Sequence, residues 1–297
     1  MMRPFALWVI VGALAGPARA DDLPDVKSRS VVVIDAATGA AIFDKDADEI
    51  RAIASTTKIF VALAVRKKGL DLDGWTAITK ADATAARGGS RTRLDVGEQF
   101  RNRDLLAAML VASDNRAPTA LGRAAGLDAD GLVAEMNAVA DDLHLTRTKF
   151  TDPTGLRGNV STAREMALAL RAALDDDVLR EIMGDVYREV VAKGRRRGIG
   201  YGTTNQPLAA KKYDVIGGKT GYTTAAGYCY VTAARFADRE LVMAFLGADG
   251  KQTRFADFNR VAAWLDRGAP GAKVHPAAHA RRAPPRLDSE VHGMLAR

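Results

Sequence analysis

Three short motifs set reactive side chains at fixed intervals. Serine is scarce, seven residues in 297, and only Ser55 has a lysine three residues on, in Ser55-Thr56-Thr57-Lys58. Only Ser113 opens an S-x-N, Ser113-Asp114-Asn115, and Lys219-Thr220-Gly221 occurs once. Each pattern alone has an ordinary reading: a helix N-cap before a solvated lysine, a helix end, an edge-strand lysine that resists aggregation. All three in this order arise by chance in roughly one of a thousand sequences of this composition. The chemistry they share is acyl transfer to a serine. Apolar periodicity starting at Ser55 sets its hydroxyl near the positive end of a helix dipole, which favours an alkoxide. The three-residue step puts Lys58 one turn on, on the same face. A lysine works as a base only when its pKa falls from ~10.4 towards neutrality, which burial and a second cation promote. Lys219 is a candidate for that cation and attracts an anionic substrate. Ser113 can relay a proton to a leaving amine, and the Asn115 amide can bond a peptide in both directions. Gly217, Gly218 and Gly221 would let an extended peptide approach the strand closely, by β-addition.

The elements around these motifs follow from pattern. Residues 30–35 (SVVVID), the turn Ala37-Thr38-Gly39 and residues 40–44 predict a β-hairpin. Helices are predicted over about 53–68 with Gly69 as the stop, after Asn102 as a cap, over 130–143, and from a capping box Thr162-Ala-Arg-Glu165. Strands return beyond Gly217, at 228–236 and 241–246, and a closing helix is expected near 251–266. The nucleophile thus begins a helix, S-x-N follows one, and K-T-G lies on a strand. A sheet drawn from both chain ends around a helical insertion makes an α+β unit with two lobes.

The motifs, with Phe150-Thr-Asp-Pro-Thr-Gly-Leu156, Val160-Ser-Thr-Ala-Arg164 and Thr220-Gly-Tyr-Thr-Thr-Ala-Ala-Gly227, resemble the serine D-Ala-D-Ala peptidases, the low-molecular-mass penicillin-binding proteins. The segments MLVASDNRAP and FTDPTGL resemble the D-alanyl-D-alanine endopeptidase branch, and the resemblance spans about Val26 to Gly268. It implies a β-lactamase/transpeptidase-like fold with an antiparallel sheet. It implies that Ser55 is acylated, that Lys58 is its base, and that Ser113 and Asn115 assist proton transfer and substrate binding. Lys219 and Thr220 would hold a terminal carboxylate, Gly221 would belong to the substrate-binding strand, and main-chain N–H groups of Ser55 and Tyr222 would form the oxyanion hole. The implied partners are peptidoglycan stem peptides and cross-links, with β-lactams as covalent inhibitors and no cofactor. Cleavage of D-alanyl cross-links is the leading activity. Release of terminal D-Ala by a carboxypeptidase, or a non-catalytic penicillin-binding sensor, are the alternatives. The carboxypeptidase branch usually continues into a β-rich domain and an amphipathic anchor, for which the segment after Gly268 is too short and Pro-rich. The E-x-x-L-N segment with which class A β-lactamases activate water is absent between Ser113 and Lys219, so efficient β-lactam hydrolysis is not expected.

Composition agrees with an ordinary globular enzyme. Lys and Arg number 43 against 36 Asp and Glu, a net +7. Two of those charges fall in the first 20 residues and three after residue 268, so the body is near balance and implies no nucleic-acid partner. His144 is the one histidine of the body, which argues against a zinc site or a Ser-His-Asp triad, and Cys229 alone forms no internal disulfide. Residues 1–20 read as a signal peptide cleaved after Ala20: Arg3, an apolar run from Phe5 to Leu14, then Ala18-Arg19-Ala20. That places the product in the periplasm, with 21–268 as one catalytic domain, 269–297 as a disordered Pro/Ala/Arg-rich tail, and no stable membrane anchor. Arg195-Arg196-Arg197 reads as a solvated loop before the K-T-G strand, within reach of anionic cell-wall polymer.

Overall fold

A strand that is apolar on both faces needs cover on both faces. SVVVID forms such a strand in the computed structural model of the protein, which describes residues 23–90 and 92–269. β1 (Ser30–Asp35) and β2 (Ala41–Lys45) make the expected hairpin. Thr38 N donates to Asp35 Oδ1 at 2.9 Å in its turn, where Gly39 takes φ 73°. The chain continues through β3 (Arg51–Ala52), a 3-10 turn (Ala54–Thr57) and α1 (Lys58–Lys67). The helical lobe adds β4 (Trp75–Ala77), α2 (Lys80–Ala85), β5 (Gln99–Arg101), α3 (Asn102–Val111), α4 (Ala117–Ala124) and α5 (Ala129–Asp142). It is completed by β6 (Val160–Ser161), α6 (Ala163–Leu174) and α7 (Asp177–Met183). A hairpin of β7 (Tyr187–Val190) and β8 (Ile199–Gly202), then α8 (Gln206–Ala210), lead back to the sheet. There β9 (Asp214–Thr223), β10 (Gly227–Phe236) and β11 (Arg239–Ala248) precede the closing α9 (Thr253–Asp266).

The main sheet runs β2-β1-β11-β10-β9 with every pairing antiparallel, so both chain ends build it and β9 is an edge. On one face Val31, Val33, Tyr230 and Phe245 pack against Phe258 and Trp264 of α9. On the other, Val32, Ile34, Val231 and Ala244 join the core of the helical lobe. In that lobe every residue from Lys58 to Val65 is buried, because KIFVALAV is apolar all round and an all-apolar helix must sit in the middle of its neighbours. The lysine that opens this helix is buried with it.

Three local expectations change. The helix predicted from Ile53 begins as the 3-10 turn, and α geometry starts only at Lys58; tight turns of this kind are frequent at helix starts. Asn102 does not cap α3. Its Nδ2 donates to Asp71 O at 2.7 Å and its Oδ1 accepts from Thr76 Oγ1 at 2.7 Å, so it pins β4 instead. Thr162 caps α6 through Glu165 N at 3.1 Å, but the Glu165 carboxylate accepts from Arg147 N and Thr148 Oγ1, leaving half a capping box. The complete box is at Thr79 and Asp82 of α2. No helix among the described residues is long and apolar enough to cross a membrane. The signal peptide at 1–20 and the tail from 270 lie outside the described residues. Ala269, the first residue expected in the tail, still donates its N–H to Trp264 O at 3.0 Å.

Candidate active site

The 3-10 turn, the segment after α3 and the 150s loop converge on one nitrogen. Lys58 Nζ lies 2.8 Å from Ser55 Oγ, 3.3 Å from Ser113 Oγ, 2.5 Å from Asn115 Oδ1 and 3.0 Å from Thr154 O. Four oxygens surround an amine that has three hydrogens at most. When it is neutral, two hydrogens go to acceptors and the lone pair is left for a hydroxyl hydrogen. Lys58 is fully buried, and burial lowers its pKa to about 7, against the opposing charges of Asp114 and Asp152. Burial thus supplies the downward shift that the expected base needs.

Lys219 is buried beside it, with Nζ donating to Thr220 O at 2.8 Å. Burial pushes its pKa well below the usual lysine value, and the charges of Lys58 and Arg254 push it further down. Thr220 Oγ1 donates to Thr204 Oγ1 at 2.7 Å. Asn115 is buried, while Tyr222 is exposed and stacks on Tyr228 with ring centroids 4.2 Å apart. Ser55, Ser113 and Asn115 are thus gathered around Lys58, Lys219 lies near enough for the charges of the two lysines to oppose each other, and Gly221, next to Thr220, packs on the Ser55 backbone.

The backbone explains how these groups are held. Ala54, next to Ser55, and Ser113 itself take φ of 48° and 64°, conformations costly for non-glycine residues. Ser113 is held by its neighbour: the buried Asp114 accepts from Arg93 N at 2.9 Å and Tyr201 OH at 3.0 Å through Oδ2, and from Arg116 N at 3.0 Å through Oδ1. Burial and the Asp114 carboxylate raise the Tyr201 phenol, keeping it a donor. Behind the nucleophile, Asn159 donates to Thr57 Oγ1 at 3.0 Å and accepts from Thr151 N and Asp152 N. Gly155, at φ 85°, has no room for a Cβ, which would meet Ala54 O at 2.3 Å.

The strand glycines are also required by packing within the protein. A Cβ on Gly221 would meet Ser55 N at 2.9 Å and Thr56 N at 3.0 Å, one on Gly218 would meet Val231 O at 2.4 Å, and one on Gly217 would meet Met183. The Cβ directions of all three glycines are taken up by the protein's own atoms, while the edge of β9 along the sheet has no strand paired to it among the described residues. Arg254 pins this stretch, Nη1 donating to Gly221 O at 2.7 Å and Cys229 O at 3.0 Å.

Asp114, Asp152, Thr154, Asn159, Tyr201, Thr204 and Arg254 were not singled out from the sequence. Only the FTDPTGL segment and the middle position of S-x-N carried any signal for them. Cys229 is a buried small residue with its thiol pushed up to about 11 by burial. His144, at φ 58°, ends α5.

A family model described as D-alanyl-D-alanine carboxypeptidase matches residues 17–250. The chain is similar to the D-alanyl-D-alanine endopeptidase of Pseudomonas aeruginosa, 32% identical over 89% of this chain and 86% of that protein. It is similar to the endopeptidase of the same name from Escherichia coli, 28% identical over 89% of this chain and 85% of that protein. Among solved structures, a D-alanyl-D-alanine carboxypeptidase from Mycobacterium tuberculosis superposes with TM-score 0.77 at 28% identity, covering 90% of this chain and all of that one (100%).

Proposed function

The chain belongs to the D-alanyl-D-alanine carboxypeptidase family of serine peptidases, and from that premise we propose that it is an acyl-serine endopeptidase that cuts D-alanyl cross-links of peptidoglycan in the periplasm. Residues 21–268 are the catalytic unit in this reading, exported by the signal peptide at 1–20. The observation that carries it is Lys58 Nζ, buried and set within 3.3 Å of Ser55 Oγ, Ser113 Oγ and Asn115 Oδ1.

In the proposed sequence, neutral Lys58 takes the Ser55 proton as Oγ attacks the D-alanyl carbonyl carbon. The oxyanion settles between the N–H groups of Ser55 and Tyr222. Asn115 orients the peptide, and Lys219 with Thr220 holds the carboxylate of the departing residue by a charge-assisted contact. The C–N bond breaks as the proton passes from Lys58 through Ser113 Oγ to the leaving amine. Water, deprotonated by Lys58, then attacks the acyl-Ser55 ester, releasing the new carboxyl end and returning the proton to Oγ. A β-lactam enters by the same first step and stays bound as the acyl-enzyme.

Endopeptidase and carboxypeptidase differ only in the leaving group, and the relatives named above include both. The deciding experiment offers purified protein cross-linked muropeptide dimers and, separately, pentapeptide monomers. Monomers formed from dimers, without free D-Ala from pentapeptide, are expected. Free D-Ala without dimer cleavage would leave the carboxypeptidase reading.

A further inference from the structure

The hairpin β7–β8 has no part in the steps above, yet its tip carries Arg195, Arg196 and Arg197 on a cavity of about 560 Å³ whose walls also include Asp95 and Glu98. Arg195 is engaged, with Nε donating to Glu98 Oε1 at 3.0 Å. Arg196 and Arg197 have no carboxylate within salt-bridge distance among the described residues. Unpaired guanidinium groups at a cavity wall favour carboxylate ligands, which their planar fork can bind through two hydrogen bonds. Lys193 adds positive charge on the same loop, its Nζ 5.6 Å from the Trp75 ring centroid.

The cavity is coupled to the cleft by β8. Tyr201 donates to Asp114 of the S-x-N motif at 3.0 Å, and Arg93 covers its ring at 5.4 Å while bonding Gly200 O. Just beyond β8, Thr204 N donates to Val111 O at 3.1 Å, and Thr204 Oγ1 accepts from Thr220 at 2.7 Å. One end of the strand therefore abuts the carboxylate-binding end of K-T-G, and the other leads to Arg197. Arg197 stands in a bend two residues before β8 begins at Ile199, so the arginines lie at the loop end of the hairpin and Thr204, bonded to Thr220, lies beyond its other end.

We propose that Arg196 and Arg197 form a subsite for the carboxylates of the leaving stem peptide in a cross-linked substrate. A terminal D-alanine ends at Lys219 and Thr220 and never reaches the arginines, whereas a leaving stem continues past them. The subsite therefore favours cross-linked over terminal substrates; in this it rests on the endopeptidase reading.

The test uses the full chain carrying Ser55→Ala, which binds without turnover, and a stem-peptide dimer joined through a D-alanyl bond with its side carboxylates free. Arg196→Gln combined with Arg197→Gln is expected to raise the dimer Kd by 10- to 100-fold, an effect that added salt diminishes. A dimer with amidated carboxylates on the leaving stem should bind weakly to both proteins. With Ser55 present, the same pair of substitutions should lower kcat/KM for the dimer at least ten times more than for a pentapeptide monomer. An unchanged dimer Kd, an equal loss for the amidated dimer, or equal losses for dimer and monomer would overturn the subsite. Should the unmodified enzyme release D-Ala from monomers and cut no dimer, the endopeptidase reading alone falls, and the Kd comparison still decides the subsite.

Discussion

At Lys58 a single nitrogen contacts Ser55, Ser113 and Asn115, the nucleophile, relay and substrate-positioning amide of the proposed mechanism, so its protonation state bears on all three. Burial brings its pKa to about 7, so kcat/KM for acylation should rise as pH climbs through about 7 and level off above it. An ascending limb near 10 would place the base elsewhere. Lys58→Ala should lower the acylation rate by about 10²- to 10⁴-fold, the usual contribution of a positioned base; penicillin labelling kinetics measure this, and a loss below tenfold would remove Lys58 from the role. For Lys219 the expected contribution is charge. Lys219→Gln should cost about 10- to 100-fold in kcat/KM for substrates ending in a carboxylate, from ~1.5–3 kcal/mol for one charged contact. It should cost much less for analogues whose carboxylate is amidated. Equal losses on acid and amide would mean that Lys219 acts by tuning Lys58 or supporting the fold.

At the scale of elements, the nucleophile turn and β9 are packed backbone to backbone, with Gly221 as the contact. Gly221→Ala forces a Cβ against Ser55 N and Thr56 N, so the turn or the strand must move by several tenths of an ångström. Acylation should fall at least about tenfold, since small displacements of reacting groups are costly. Global stability should drop by only about 1–3 kcal/mol, as for other overpacked sites. Parallel penicillin acylation and thermal melts separate these effects. Full acylation by the variant would show that the contact has no part in positioning Ser55. The same logic applies to the segment after α3, where Asp114 joins Arg93, Arg116 and Tyr201 and thereby holds Ser113 in a conformation it would not adopt alone.

For the whole molecule, two buried lysines make folding pH-dependent. The unfolded chain keeps its lysine protons up to about 10.4, while folded Lys58 releases its own at about 7. Between those values the unfolded state binds more protons, so this group's contribution to stability increases as pH rises from 7 towards 10, and its cost is full below 7. Lys219, shifted in the same direction, adds to the trend. Chemical denaturation of wild type and Lys58→Met at pH 7 and pH 9.5 should therefore find the difference moving in favour of wild type at the higher pH. A difference independent of pH would mean that Lys58 keeps its proton throughout. A buried lysine that must be desolvated costs stability wherever it stays protonated.

Motif spacing and apolar periodicity point to acyl transfer on a serine and to the fold class. S-x-x-K places two groups one helical turn apart whatever surrounds them, SVVVID demands a doubly covered strand, and strands at both ends of a helical middle imply the α+β sheet. Those are local rules, read over three to eight residues. Tertiary structure decided what local rules do not reach. Burial of α1 sets the pKa of Lys58. The collision of a Gly221 Cβ with Ser55 N gives that glycine its purpose. Asn102 was assigned as a cap but pins β4, because a side chain bonds to whatever long-range partner the fold brings near. Asp114 and Tyr201 lie 87 residues apart, and no periodicity in one sequence encodes such a pair. The residues that perform the proposed chemistry were legible because their types and intervals are rare. The residues that hold them were not, because aspartate, asparagine, tyrosine and arginine are common, and only proximity in the folded chain gives them a role.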